Sequence, residues 1–227
     1  VMDVVRNINA AVDVHKSNGI EKSPVIVIKS TVPPGTSAML GFNHSPNCPV
    51  AFNPEFLTEA NAVEDFKNQD RIIIGADNEK VGDRVKAIFE KGFPNVPILK
   101  TSTTQAEMVK YVTNCFLATK VSFANEIYDL CGTLGMQYDD VIDLAKLDKR
   151  LGDSHWSVPG PDGDRGYGGH CFPKDLQALR YIASKLQIKT HVLDGASMTN
   201  NRVRMNRDWE EMEGRAVINS KKPETQQ

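Results

Sequence analysis

The chain has 227 residues, 40% hydrophobic and 25% charged, with a formal net charge of −2. That length can bury a full core in one or two domains, and the near-neutral balance gives no pull toward nucleic acid or an anionic membrane. No apolar run reaches the roughly 20 residues that span a bilayer, and the first residues do not read as a signal peptide.

Cys48, Cys115, Cys131 and Cys171 are widely spaced, with no Cys-x-x-Cys pair, and the histidines form no His-Glu-x-x-His motif. A disulfide framework or zinc site is therefore not expected, no metal is assigned, and a reducing cytoplasm is the expected compartment. The chain opens inside a helical pattern without an initiator methionine and is expected to be a piece of a longer protein.

Residues 1–17 place apolar side chains near helical period. Val25-Ile26-Val27-Ile28 then reads as a strand buried on both faces of a parallel sheet. It ends in the polar loop Lys29 to Thr36, where Thr31 is well placed for binding, because ligands gather at the C-terminal ends of strands in open α/β sheets. A hydroxyl satisfying the loop backbone explains Thr31 equally well. Pro49 to Phe52 is a second strand, running into Asn53-Pro54-Glu55-Phe56-Leu57-Thr58-Glu59-Ala60. Glu55 and Glu59 would share a face if that segment were helical, as water-activating carboxylates or as ordinary first-turn acids. Arg71 to Ala76 is a third strand. A helix from Asn78 to Lys91 follows, with Val81, Val85, Ile88 and Phe89 on one stripe, and Val96 to Leu99 reads as an edge strand because of Pro97. The first hundred residues thus alternate helix and strand but hold no Gly-x-Gly-x-x-Gly turn.

From Thr103 the pattern is helical. One long helix runs from Thr104 to about Leu134, and Lys110 and Asn114, four residues apart on it, share a face. Cys115 and Cys131 sit among apolar neighbours and read as core. A short helix from Asp139 to Asp148 leads through Arg150 into a loop, Asp153 to Gly169, too long for a plain connector. That loop delivers the chain to Gly166-Tyr167-Gly168-Gly169-His170-Cys171-Phe172-Pro173-Lys174-Asp175. Pro173 suits a first helical turn, so Cys171 is expected at a helix N-terminus, where the dipole favours a thiolate and Lys174 adds positive charge. Cys171 is a candidate nucleophile. A last helix is expected from Leu193 to Glu213, then a polar tail.

The stretch Gly168 to Asp175 resembles the active-site signature of the UDP-glucose/GDP-mannose dehydrogenase family. Lys29 to Pro33, Asn53 to Glu59, Asn68 to Gly75 and Glu107 to Asn114 resemble other motifs of that family in the same order. The resemblance implies an α/β fold class: the second half of a Rossmann-like parallel sheet, then an all-helical central domain built on one long helix. The implied domains are residues 1–102, the C-terminal half of an NAD-binding domain; 103–214, a central helical dimerisation and catalytic domain; and 215–227, a tail leading to a UDP-binding domain. Such a chain would not turn over by itself.

The implied reaction oxidises the 6-hydroxymethyl of a nucleotide sugar twice, with NAD as cofactor. UDP-glucose going to UDP-glucuronate is expected, and GDP-mannose or a UDP-N-acetylhexosamine is the alternative; Phe172 leans toward UDP-glucose. Cys171 would hold the aldehyde as a thiohemiacetal and then a thioester. Lys110 and Asn114 would face the developing oxyanion. Asp175 would orient a water or lysine, Thr31 would relay a proton, and Glu55 or Glu59 would be the hydrolytic base. Phe56, Leu57, Thr58 and Glu59 would hold the sugar, with Tyr167, Gly168 and Gly169 along it and Arg150 reaching the substrate of a neighbouring subunit. Thr31, Glu55 and Lys174 would lie near NAD. The implied assembly is a homodimer through the central helices. His170 departs from the serine common at its position.

Two readings of other kinds compete. A non-catalytic helical oligomerisation module has no need for the joint presence of Thr31, Glu55, Lys110, Asn114, Cys171 and Asp175. A hydroxyacid dehydrogenase of related architecture needs no nucleophilic cysteine.

Overall fold

The computed structural model describes residues 1–19, 23–58 and 61–212, in two units, Val1–Lys110 and Tyr111–Gln227. Short β-branched runs in the first unit become strands: β1 (Ile26–Ile28), β2 (Val50–Phe52), β3 (Ile72–Gly75) and β4 (Ile98–Thr101). They form one sheet in the order β1-β2-β3-β4. β1 and β2 run parallel from Ile26↔Val50 to Ile28↔Phe52, and β3 and β4 run parallel from Ile72↔Ile98 to Gly75↔Thr101. The sheet is parallel-dominated, as expected, with one exception at the middle join: β2 meets β3 antiparallel through the single pair Phe52↔Gly75. Buried Asn53 ties that join together. Its backbone N–H donates to Ile28 O at 2.9 Å, its side-chain amide donates to Ile73 O at 2.8 Å, and its Oδ1 accepts from Lys29.

The sheet is covered on both faces. Ile73 packs with Val5 and Val12 of α1 (Met2–Ser17) and Leu40 of α2 (Thr36–His44). Ile72 and Ile74 point the other way, as strand alternation requires, and pack with Val81 and Val85 of α4 (Glu79–Gly92). Asn78 caps α4 by accepting from Val81 N. Ile88, expected on the same stripe, is exposed, because the ring of Phe89 beside it takes the inward place. Residues 53–58 are not helical, so over these residues the condition for Glu55 to share a helical face with Glu59 is not met. Pro54 lacks an N–H, and a short helix, α3 (Ala62–Lys67), starts only later. Glu59 lies outside the described residues.

The long helix α5 (Thr103–Thr133) begins in the first unit, where Asp77 accepts from Thr103 N at 3.0 Å and from Thr103 Oγ1 at 2.6 Å. One turn on, Glu107 is fully buried, and its two carboxylate oxygens accept from the backbone N–H groups of Gly35 and Ser37 at 2.5 and 2.8 Å. A carboxylate at the start of α2 satisfies orphan donors and opposes the positive end of the helix dipole.

The second unit holds the rest of α5, then α6 (Tyr138–Ala145), a 3-10 turn at Lys149–Leu151, α7 (Cys171–Lys185), α8 (His191–Val203) and a 3-10 turn at Asp208–Glu210. Tyr111, Cys115, Ala118, Tyr167, Leu176 and Ala196 form one core, and Ala124, Cys131, Tyr138, Ile142, Trp156 and Val158 another. Cys115 and Cys131 are core residues, as expected. The long loop is packed rather than slack: Trp156 O accepts from Tyr138 OH at 2.6 Å, and Arg165 pairs with Asp129 at 2.7 Å. The last helix is shorter than expected. It ends at Val203, where the chain turns extended and Arg204 folds inward among acids; Glu213 and the tail lie outside the described residues.

Replacing Glu107 with Gln turns an N–H donor toward one of the two amides that it caps. That change should lower unfolding free energy by about 2 kcal/mol, the range for a buried hydrogen bond to a charged group. A urea midpoint equal to that of the unchanged chain would contradict the cap.

Candidate active site

In the first unit the expected residues collect around Lys110. Its ammonium is almost fully buried, donates to Glu55 O, and lies 3.7 Å from the Glu55 carboxylate. The ring of Phe56 lies 5.5 Å from Lys110 Nζ and 4.7 Å from the Arg71 guanidinium, so two cations approach one aromatic ring. Glu55, Phe56 and Leu57 are half-buried on a segment that leaves β2. Lys29, at the end of β1, has its pKa pushed down by burial, partly offset by the charge of Glu55. Thr31 follows it, half-buried. Thr58 is engaged elsewhere: its N–H and hydroxyl both donate to Asp65, at 2.7 and 2.5 Å, and these bonds hold the Asp65 carboxyl below its usual range.

In the second unit Cys171 is the first residue of α7, half-buried, with Sγ 3.5 Å from His170 Nε2. One turn further Asp175 is wholly buried. Its carboxylate accepts from Asn114 Nδ2 of α5 at 2.5 Å and from Lys174. Asn114 is itself buried and four residues after Lys110 on the same helix. Two thiols therefore differ by surroundings. Cys115 beneath Asp175 is pushed up to about 12, first by burial and then by the Asp175 charge, while Cys171 is reached by solvent at a helix N-terminus.

The loop before Cys171 is braced. Tyr167 exchanges two hydrogen bonds with the Asn200 side chain, N–H to Oδ1 at 2.7 Å and Nδ2 to the carbonyl at 3.0 Å. Gly169 N donates to both oxygens of Asp208, at 3.1 and 3.0 Å. A side chain at Gly168 would strike the guanidinium of Arg204, with Cζ 2.7 Å from the added carbon. Arg204 is 2% exposed and pairs with Asp162 at 2.7 Å, Asp164 at 3.5 Å and Asp208 at 3.7 Å. Arg150, in contrast, is 89% exposed and forks onto Asp148 alone among the described residues. Asn200, Arg204 and Asp208 escape a motif reading. The one sequence signal is an amide at Asn200, in register with Ala196 and Val203 on the inward face of a helix. Among the described residues there is no cluster of three metal-ligating side chains and no helix long and apolar enough to cross a membrane.

Residues 2–92 match the NAD binding domain of the UDP-glucose/GDP-mannose dehydrogenase family, and residues 104–202 match its central domain. The chain is 38% identical over 195 residues to a UDP-glucose 6-dehydrogenase of Rickettsia typhi, with 81% of this chain and 42% of that protein aligned. It is 38% identical over 188 residues to UDP-glucose 6-dehydrogenase YwqF of Bacillus subtilis, with 80% and 41% aligned. A solved UDP-glucose dehydrogenase from the archaeon Pyrobaculum islandicum superposes with a TM-score of 0.71 at 34% identity, covering 88% of this chain and 44% of that one. A GDP-mannose dehydrogenase from Pseudomonas aeruginosa superposes with a TM-score of 0.57 at 30% identity, covering 89% and 46%. The chain thus spans about two fifths of the length of the curated relatives it matches. With both domain matches falling in family order on the α/β and helical units, the chain belongs to the UDP-glucose/GDP-mannose dehydrogenase family.

Proposed function

We propose that this chain is the portion of an NAD-dependent nucleotide-sugar 6-dehydrogenase that carries the nucleophile, and that the substrate is UDP-glucose, oxidised to UDP-glucuronate. The observation that carries the reading is Cys171 at the N-terminus of α7, one turn before a buried Asp175 that Asn114 and Lys174 both contact. An aldehyde formed in the first oxidation accepts the Cys171 sulfur, giving a thiohemiacetal whose loss of hydride leaves a thioester; water then releases the acid and returns the thiol. Asn114 and Lys110 supply an amide donor and a positive charge for the oxyanion. Asp175 fixes Asn114 and Lys174, and Glu55, half-buried beside Lys110, is the base for hydrolysis. Glu59 is the alternative base.

NAD supplies the hydride acceptor when bound. Thr31, Glu55 and Lys174 offer a hydroxyl, a carboxylate and an ammonium that suit its nicotinamide end. The diphosphate does not fit the N-terminus of α2, because the Glu107 carboxylate already fills it. The sugar rests on Phe56 and Leu57, the donors of Thr58 being taken by Asp65, and on Tyr167, Gly168 and Gly169, and Arg150, free of the local core, reaches the substrate of a neighbouring subunit. Residues 1–102 serve the cofactor, 103–214 the chemistry and dimerisation, and 215–227 lead toward a UDP-binding region. A cytoplasmic location is part of this reading.

The test joins the chain to the remaining segments of a family member and follows NADH formation with UDP-glucose. Cys171→Ser should cut turnover at least about a thousandfold, loss of a nucleophile being among the costliest single changes, and leave UDP-glucose binding intact. A serine variant that makes UDP-glucuronate at the normal rate would sink the covalent mechanism.

The homodimer is proposed on α5, where Val112, Phe116, Phe123 and Leu130 are 59%, 68%, 51% and 55% exposed at spacings that keep them on one side of the helix. Phe116→Glu should convert a dimer to a monomer in sedimentation, with helix content unchanged. A sedimentation coefficient that stays dimeric would remove α5 from the interface.

A further inference from the structure

Resting on the reading of Cys171 as the nucleophile, we infer that Asp208 is a positioning residue that holds the Gly169 N–H and so fixes where the Cys171 thiol enters α7. The two oxygens of Asp208 accept from an amide only two residues before Cys171. Gly169 has φ +67, a conformation that L side chains rarely adopt, so the chain turns there and the turn needs an external hold. One residue earlier, Gly168 lies directly against the buried guanidinium of Arg204, which also pairs with Asp208. One residue earlier still, Asn200 brackets Tyr167 from both sides. Three consecutive residues of the approach to the nucleophile are thus held by three side chains spaced four apart, Asn200, Arg204 and Asp208. α8 and the turn after it form a clamp on that loop. Asp208 itself is half-buried in a 3-10 turn outside both cores of this unit, so its loss loosens the loop and leaves the helices packed.

The test is the rate at which iodoacetamide alkylates each cysteine of the intact chain, read by peptide mass at fixed pH. It needs no turnover, so an enzyme that fails to oxidise UDP-glucose would not affect it. Asp208→Ala should speed alkylation of half-buried Cys171 by about tenfold or more, the scale set by losing one hydrogen bond to a charged acceptor. Asp208→Asn keeps an acceptor for Gly169 and should stay within about twofold of the unchanged chain. Buried Cys115 and Cys131 should remain unreactive in both variants. An unchanged Cys171 rate in Asp208→Ala overturns the inference. So does an Asn variant that behaves like the Ala variant, and so does a rise at Cys115 and Cys131 together with Cys171, which would make Asp208 a general prop.

Discussion

The second unit depends on a carboxylate that has no solvent. Asp175 is fully buried, and taking such a group out of water costs several kcal/mol unless partners are supplied. Asn114 and Lys174 are those partners, one from α5 and one from the preceding residue of α7. Meeting Asn114 fixes the first turn of α7 against α5, and Leu176 then falls into the core beside Tyr111, Cys115 and Ala118. Cys171 is carried along, one turn earlier and at the rim of that core. A core built only of Leu176 and its neighbours would pack as well and would not fix that register. The polar cost is therefore better explained by what it places than by what it stabilises.

The same device recurs on α5, the helix that carries Asn114. Glu107 in the first unit is buried as completely as Asp175, and its oxygens meet backbone amides at the start of α2. Lys110 follows, buried against Glu55 and the ring of Phe56. The inward stripe of α5 thus alternates apolar residues with Glu107, Lys110 and Asn114, each one paired. Unpaired, any of them would cost more than a typical core methylene contributes. Paired, each ties α5 to a segment that a purely apolar stripe would leave free to slide.

Much of this was legible in the chain itself. The β-branched runs became strands where expected, the long helix begins and ends within one residue of its reading, and Cys171 stands at a helix start as Pro173 foretold. The parts that were not legible share a cause: they depend on pairings between residues far apart in sequence. The antiparallel join of β2 and β3 rests on one pair and on Asn53, which has no local signature. Thr58 looked available for a sugar, yet Asp65 takes both of its donors. The glycines before Cys171 announced a close approach without saying to what, and the answer, Arg204, lies in a stretch that periodicity assigned to a continuing helix.

That last displacement bears on the chemistry. Ending α8 at Val203 brings the Arg204 guanidinium under the loop, where three acids surround it. Two loop amides, those of Tyr167 and Gly169, are consequently spent on Asn200 and Asp208 rather than left for a ligand. On the proposed reading, what the loop would give a substrate is then mainly shape: a side-chain-free surface at Gly168, three residues before the thiol of Cys171. Under the proposed covalent mechanism, an aldehyde on Cys171 that has to present its hydrogen for a second transfer would need constancy of placement more than another donor, because misplacement of about 1 Å is enough to cost a large factor in rate.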